Sequence, residues 1–454
     1  MTGKAMGSKL FSIDRADFGR FANWCLIWLF MANIGFMALW FVGAPLRPWE
    51  ILYGGLAGLI AKYLPRILRY IIFIGVVTWS CLKFIGGLFN LTIESLLYSV
   101  QFFAEIDPSD SIEYILAGFF TFIILIFVWK LMKRDTNFKN PLLIIAAAGL
   151  TFALSQFDIY MGKDMRGHYF RSPDAGAEFA SARMNSGFAN APDGKRHLLL
   201  IVVESLGQPA DNDEIKRKLF GQLKNNPAIA ARFELKQGIA PYYNSTTSGE
   251  IRELCGRWGD YYSLLNNKIT LDKNCLPYQL TQKGYQTHAL HSFNGRFFKR
   301  AIWYPKTGFQ QVEFGDKLIK RGAEMCGGVF PGACDRDVPP MIGDILRKAD
   351  KPTFLYWLSL NTHLPVPTGK NLRVENCEKS SAILKEKFPM ICRQFAIFDQ
   401  IEAGLVAQII AKDFPATDIL IVGDHMPPFF DKHNRTQFDP AHVPWLYLRW
   451  KNGQ

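Results

Sequence analysis

Five side chains able to bind a metal or move a proton stand just after apolar runs of this sequence. Glu204 follows His197–Val203, His291 follows Gln286–Leu290, and His363 comes shortly after Thr353–Leu360. Asp424 and His425 follow Asp418–Val422 across a single glycine. A carboxylate, an Asp-His pair and a hydroxyl together form the mixed oxygen and nitrogen shell that suits Zn2+ or Mn2+. The segment Asn244-Ser-Thr-Thr-Ser-Gly-Glu250 offers the hydroxyl. An alcohol attacks a phosphodiester only when its pKa falls, which metal coordination achieves, and a following glycine lets backbone amides approach the phosphate. Residue chemistry alone does not choose among Thr246, Thr247 and Ser248. Taken singly, each feature has a plainer role: a solvated carboxylate, a hydrogen-bonded structural histidine, or a helix cap at Ser248.

The four runs are apolar and rich in β-branched or aromatic residues, so they read as buried strands. Helix-like stretches lie between them, among them Asp213–Leu223, Pro340–Lys348 and Gln394–Ala411. This alternation predicts an α/β domain with a central, largely parallel sheet. In such sheets ligands bind beyond the carboxyl ends of the strands, which is where all five side chains fall.

At 454 residues the chain exceeds what one core usually holds. Long apolar runs dominate the first third, and the remainder has a mixed, turn-rich composition. The expected organisation is a transmembrane domain over 1–160, a linker or interfacial segment over 161–195, and an extracytoplasmic catalytic domain over 196–454. Phe21–Val42, Tyr70–Leu88 and Ile112–Met132 are each long enough, at about 20 residues, to cross a bilayer. Trp49–Ala61 and Leu142–Phe157 are shorter and within reach of spanning, giving an expected bundle of about five helices. The first run is too long for a signal-peptide core and reads as a retained anchor. Leu91–Phe103 reads as a loop helix packed on this bundle, with an interfacial helix as the alternative.

Loop charge sets the orientation. Lys4, Lys9, Arg15 and Arg20 precede the first run, Lys62, Arg66 and Arg69 lie between the second and third, and Lys130, Lys133, Arg134 and Lys139 follow the fourth. Such loops stay in the cytoplasm, so five spans leave everything after Phe157 outside it. The net charge of +12 suits an anionic substrate or lipid surface. Nucleic acid is the usual alternative partner of a basic chain, and the anchoring keeps this domain away from it.

Cysteine usage bears on the compartment. Cys25 and Cys81 lie in apolar runs, while Cys255, Cys275, Cys326, Cys334, Cys377 and Cys392 form three sequence-local pairs. Pairing within each is the simplest of the fifteen connectivities that six cysteines allow, and it requires an oxidising compartment. The competing zinc reading lacks the close C-x₂₋₄-C spacing of structural zinc sites.

With these residues on the page, the chain resembles the alkaline-phosphatase-like sulfatase superfamily, in particular its membrane branch of lipoteichoic acid synthases, phosphoglycerol transferases and phosphoethanolamine transferases. Val202-Val-Glu204-Ser-Leu206 is similar to that family's first metal-ligand strand, Thr247-Ser-Gly-Glu250 to its nucleophile segment, and Gly423-Asp-His425 to its Gly-Asp-His motif. The resemblance implies that Glu204, Asp424 and His425 hold one divalent metal with Thr247, the nucleophile that becomes phosphorylated. It further implies a head-group pocket of His291, Phe298, Arg300 and His363, with His433 as a less central member, and with His291 or His363 passing protons. Phe298 departs from the tryptophan of the synthases. Cys275-Leu-Pro277-Tyr-Gln279 lacks the arginine of the C/S-x-P-x-R context that sulfatases need.

The activity this implies is transfer of a phospholipid head group from phosphatidylglycerol or phosphatidylethanolamine to a glycan or glycolipid of the cell envelope. The pocket residues favour phosphoglycerol, whereas the three cysteine pairs resemble phosphoethanolamine transferases of Gram-negative periplasms. A bacterial inner-membrane protein with a periplasmic catalytic domain follows from the same resemblance. A hydrolase on the same site and a non-enzymatic envelope protein are the alternatives.

Overall fold

The four apolar runs become neighbouring strands of one seven-stranded sheet in a computed structural model that describes residues 13–42, 45–88, 112–162, 167–266, 270–429 and 431–451. The strands are β1 (His197–Val203), β2 (Phe233–Pro241), β3 (Gln286–His291), β4 (Gln311–Glu313), β5 (Met325–Cys326), β6 (Gly332–Ala333), β7 (Thr353–Leu358), β8 (Thr417–Gly423) and β9 (His442–Trp450). The large sheet runs β2-β9-β8-β1-β7-β3-β4, and β5 and β6 pair as a small separate hairpin. From β8 to β4 all pairings are parallel, with Leu198 of β1 opposite both Phe354 and Asp418. β9 runs antiparallel to β8, and β2 antiparallel to β9.

The centre of the sheet is apolar throughout because helices cover both faces of a parallel sheet. Every residue of β1, β7 and β8 is buried. β2 and β9 lie outside the four runs singled out above; β2 carries Glu234, Lys236 and Gln237 at exposed or partly exposed positions, as an edge strand does. The expected helix over Asp213–Leu223 is two pieces, Asp213–Lys218 and Gly221–Lys224, interrupted where Phe220 takes a left-handed backbone at φ 54°. Val338–Arg347 and Pro389–Ile409 are the other two expected helices.

The described residues divide into two compact units, one up to residue 162 and one from 167 onward. In the first, two helices are long and apolar enough to cross a membrane, Arg66–Gly87 and Pro141–Met161. A third span results if Arg15–Met31 and Ile34–Trp40, bent by 48° at their junction, count as one. Among the described residues this gives two to three candidate spans, and the expected bundle of five is not confirmed. Pro48–Ala61 has 14 residues, and the apolar stretch Ile115–Leu131 is also short of the requirement. Pro48–Ala61 packs tightly through small residues: a Cβ on Gly58 would stand 2.5 Å from the Trp28 ring. Leu91–Phe103 lies outside the described residues.

The three local cysteine pairs are bonded as Cys255–Cys275, Cys326–Cys334 and Cys377–Cys392. With their sulfurs in disulfides they are not zinc ligands. Cys25 and Cys81 are free.

Candidate active site and metal centre

The parallel sheet brings the ends of β1 and β8 side by side, and the loops there converge. The Ser205 N–H donates to Asp424 Oδ1 at 2.7 Å, and the His425 N–H donates to the same oxygen at 2.7 Å. His425 Nδ1 lies 2.9 Å from the Met426 carbonyl. Only an N–H satisfies a carbonyl, so Nδ1 carries the proton and Nε2 is the nitrogen left to ligate. Nε2 stands 3.2 Å from Asp424 Oδ2 and 3.3 Å from Glu204 Oε1.

Two observations test whether these residues fit a divalent ion. Donors bound about 2.0 Å from a tetrahedral centre stand roughly 3.3 Å apart, which matches the 3.2 and 3.3 Å from His425 Nε2 to the two carboxylates. The electrostatics agree. Burial opposes ionisation of Glu204, yet hydrogen bonding to and the charge of a protonated His425, itself raised against burial to about 9 by Asp424 and Glu204, hold its carboxyl down at about 2; a bound cation takes the place of that proton. Burial, and then the Glu204 charge, push Asp424 up to about 8, and its Oδ2 is buried with no hydrogen bond. Two carboxylates this close cannot both ionise without a compensating charge between them. Glu204, Asp424 and His425, fully buried, therefore fit a cation.

The hydroxyl that joins this cluster belongs to Thr246. Its Oγ1 donates to Glu204 Oε2 at 3.0 Å and lies 3.3 Å from His425 Nε2. The expected Thr247 stands next to it, its hydroxyl buried without a hydrogen bond to any described residue. Both residues open the helix Thr246–Cys255, where successive side chains point about 100° apart, so only one of the two can face the cluster. Gly249 lets that helix approach: a Cβ there would lie 2.9 Å from Asp424 Cβ.

Arg300, expected in the head-group pocket, turns its fork to Glu250. Its Nε and Nη2 donate to Glu250 Oε2 at 3.0 and 2.8 Å, and Tyr356 donates to Oε1 at 3.1 Å, with Tyr304 on the same oxygen. The guanidinium is thus committed to a buried ion pair, with its carbon 5.1 Å from the centre of the Phe298 ring. Phe298 is half-buried against Phe297 and Tyr261.

His291 and His363 are both buried. Burial, and then the Arg300 charge, keep His291 well below the usual histidine range. Its Nδ1 lies 3.2 Å from the Leu358 carbonyl, and its Nε2 has no hydrogen bond. A neutral ring donating from Nδ1 has a bare Nε2, which accepts protons. Burial also lowers His363; the fields of Glu204 and His425 act on it, its Nδ1 makes no hydrogen bond, and Phe330 packs edge-on at 4.7 Å. His433 does not join them. It is exposed, with Nε2 3.3 Å from the Lys387 carbonyl and its ring stacked 4.5 Å from Phe388.

Several residues that hold the site escaped the sequence reading. Arg252 ties the helix Thr246–Cys255 to the turn after β8, donating to the Gly423 and Asp424 carbonyls at 2.8 and 3.1 Å. Thr362 donates to the Glu204 carbonyl at 2.6 Å, and Ser359 accepts the Glu204 N–H at 2.9 Å. Tyr169 packs edge-on against the His425 ring at 4.8 Å. The one available signal was Glu250, Arg252 and Glu253 within a short helix, since charged residues that are fully buried must be paired.

Residues 196–448, more than half of the chain, match the family model described as Sulfatase, and the chain belongs to that family. No curated protein matches it. Among solved structures it is similar to an alkaline phosphatase superfamily protein from Vibrio parahaemolyticus, at 17% identity over 58% of this chain and 62% of that one, TM-score 0.39. The chain thus spans less than two thirds of that protein. It is also similar to the lipoteichoic acid synthase LtaP from Listeria monocytogenes, at 14% identity over 61% of this chain and 72% of that one, TM-score 0.41. A third is the phosphoglycerol transferase GacH from Streptococcus pyogenes, at 15% identity over 61% and 78%, TM-score 0.39.

Proposed function

We propose that this protein transfers a phospholipid head group, phosphoglycerol in preference to phosphoethanolamine, from a membrane lipid to a cell-envelope glycan or glycolipid through a phosphorylated Thr246. The observation that carries the reading is the Thr246 hydroxyl lying within hydrogen-bond reach of both Glu204 and His425. Glu204, Asp424, His425 and Thr246 would hold one divalent ion, zinc or manganese, which when bound lowers the pKa of the hydroxyl and offsets phosphate charge.

In the first step Thr246 Oγ1 attacks phosphorus, a new O–P bond forms, and the P–O bond to diacylglycerol breaks. The hydroxyl proton passes to Glu204 Oε2, and His363 supplies a proton to the departing glyceride oxygen. In the second step an acceptor hydroxyl gives its proton to the bare His291 Nε2 and attacks the same phosphorus, the P–O bond to Thr246 breaks, Glu204 Oε2 returns the held proton to Thr246 Oγ1, and the proton on His291 passes through solvent to restore His363. Arg300 acts through its field and by bracing Phe298. The preference for phosphoglycerol rests on the likeness of the His291, Phe298, Arg300 and His363 set to the synthase pocket, since Glu250 offsets the Arg300 charge.

The apolar helices would anchor the enzyme where the donor lipid resides, which raises the local concentration of substrate. The basic loops and the three disulfides support a multi-pass inner-membrane protein with the catalytic domain in the periplasm.

Intact-mass analysis of full-length enzyme after incubation with phosphatidylglycerol or phosphatidylethanolamine tests this. An adduct of phosphoglycerol mass on wild type, absent from Thr246→Ala, is expected. A phosphoethanolamine adduct would reverse the head-group choice. No adduct with either lipid, including after rapid quench, would favour a hydrolase.

A further inference from the structure

Asn361 lies on the loop after β7, beside Thr362, whose hydroxyl binds the Glu204 carbonyl, and two residues before His363. Asp335 grips it from three directions. The Asp335 carboxylate oxygen Oδ2 accepts the N–H groups of Leu360 and Asn361 at 2.9 and 2.6 Å, and the Asp335 N–H donates to Asn361 Oδ1 at 2.7 Å. The other carboxylate oxygen accepts the Ser292 hydroxyl at 2.6 Å, which ties the loop to the residue following His291.

The bond from the Asp335 N–H to Asn361 Oδ1 fixes which way the amide faces. An oxygen bound to a backbone N–H turns the NH₂ group to the opposite side, so the assignment does not depend on how the amide is drawn. Asn361 is 8% exposed, and its Nδ2 is a buried donor with no hydrogen bond to any described residue. A buried unsatisfied donor costs about 1–3 kcal/mol, so its persistence under so rigid a grip calls for a ligand. Asn361 and His363 line the same small cavity, together with Phe330, and His363 Nδ1 also has no hydrogen bond.

We infer that Asn361 is a substrate-binding residue, whose Nδ2 donates to a non-bridging oxygen of the phosphate undergoing transfer. Asp335 is its positioning residue. A neutral amide suits this place because the phosphate keeps its charge and the nucleophile is not competing with a second cation. The inference rests on the phosphoryl-transfer reading above.

The test measures inorganic phosphate binding to metal-loaded, full-length enzyme by calorimetry, alongside kcat and KM for the lipid donor, for wild type, Asn361→Ala and Asn361→Asp. The loop should hold in each variant, since Asp335 still accepts both backbone N–H groups; metal content and melting temperature verify it. Asn361→Ala should weaken phosphate binding about 10- to 100-fold. Asn361→Asp retains the acceptor for the Asp335 N–H but replaces the donor with a charge, so it should bind no better than Asn361→Ala. Rescue by Asn361→Asp would show that the side chain serves only the loop, and unchanged binding in Asn361→Ala would assign the amide to water; either overturns the inference. Wild type that binds no phosphate would overturn the transfer reading along with it.

Discussion

Thr246 Oγ1 donates to Glu204 Oε2 at 3.0 Å, while the adjacent hydroxyl of Thr247 is buried with no hydrogen bond. One helix N-terminus therefore presents two threonines in different chemical settings. Thr246→Ala should reduce transfer by at least about 1000-fold, since it removes the nucleophile. Thr247→Val should leave turnover within a few-fold of wild type, because it deletes only an unpartnered hydroxyl. Steady-state rates on both variants, with peptide mapping of the adduct, check this; full activity in Thr246→Ala would move the nucleophile elsewhere.

Metal removal should be visible without any substrate. Chelation leaves Glu204, Asp424 and His425 crowded, so the melting temperature should fall and recover when zinc or manganese is added. An ion at about 1000 times its Kd stabilises the folded state by ~4 kcal/mol. Asp424→Asn should lower metal affinity at least tenfold, read as the ion concentration needed to restore melting. A melting curve indifferent to chelator and to both ions would contradict the metal centre.

Glu250 pairs with Arg300 inside the core, and both are almost wholly buried. Removing one partner of such a pair strands the other charge and costs about 3–5 kcal/mol. Glu250→Ala should therefore lower stability to denaturant by that order and reduce activity, because Glu250 lies one turn from Thr246. Replacing Arg300 and Glu250 together with apolar residues should be less damaging than Glu250→Ala alone. Equal losses in single and double variants would show that the pairing carries little energy.

Glu402 gives a pH signature remote from the site. Burial is the main reason its carboxyl is pushed up to about 8, against an ordinary 4.5. The folded protein keeps a proton that the unfolded chain loses, so the stability from this group is full below about pH 4.5 and is lost as pH rises toward about 8. Glu402→Gln keeps an acceptor for the Gln222 N–H, now 2.9 Å from Oε2, and removes the titration. Its advantage over wild type should widen between pH 5 and 8, by up to about 1.4 kcal/mol per unit. Parallel stability curves across that range would show that Glu402 ionises normally.

Much of this was legible along the chain because it depends on short-range pattern. Seven consecutive buried residues in β1 announce an inner strand, and a carboxylate or histidine directly after such a run falls at the binding edge of a parallel sheet. The cysteine pairs were legible for a similar reason, since bonds between neighbours in sequence need little of the fold. Span count was less so, because Pro48–Ala61 and Ile115–Leu131 are short of spanning length and hydropathy alone does not fix where a helix ends.

What only the tertiary structure decided were directions and partners. Thr246 and Thr247 are the same residue type, and the helix phase that separates them is set by Gly249 packing on Asp424 and by Arg252 holding the turn after β8. Arg300 has the chemistry to meet a phosphate, but Glu250, 50 residues away in sequence, takes its fork. His433 sits close to His425 in sequence yet lies on the surface against Phe388. Asn361, on the loop after β7, and Asp335, in the turn after β6, acquire their relation from the packing that brings those two segments together. Sequence determines which groups are available, and long-range packing determines which of their hydrogen bonds are already taken and which remain for a substrate.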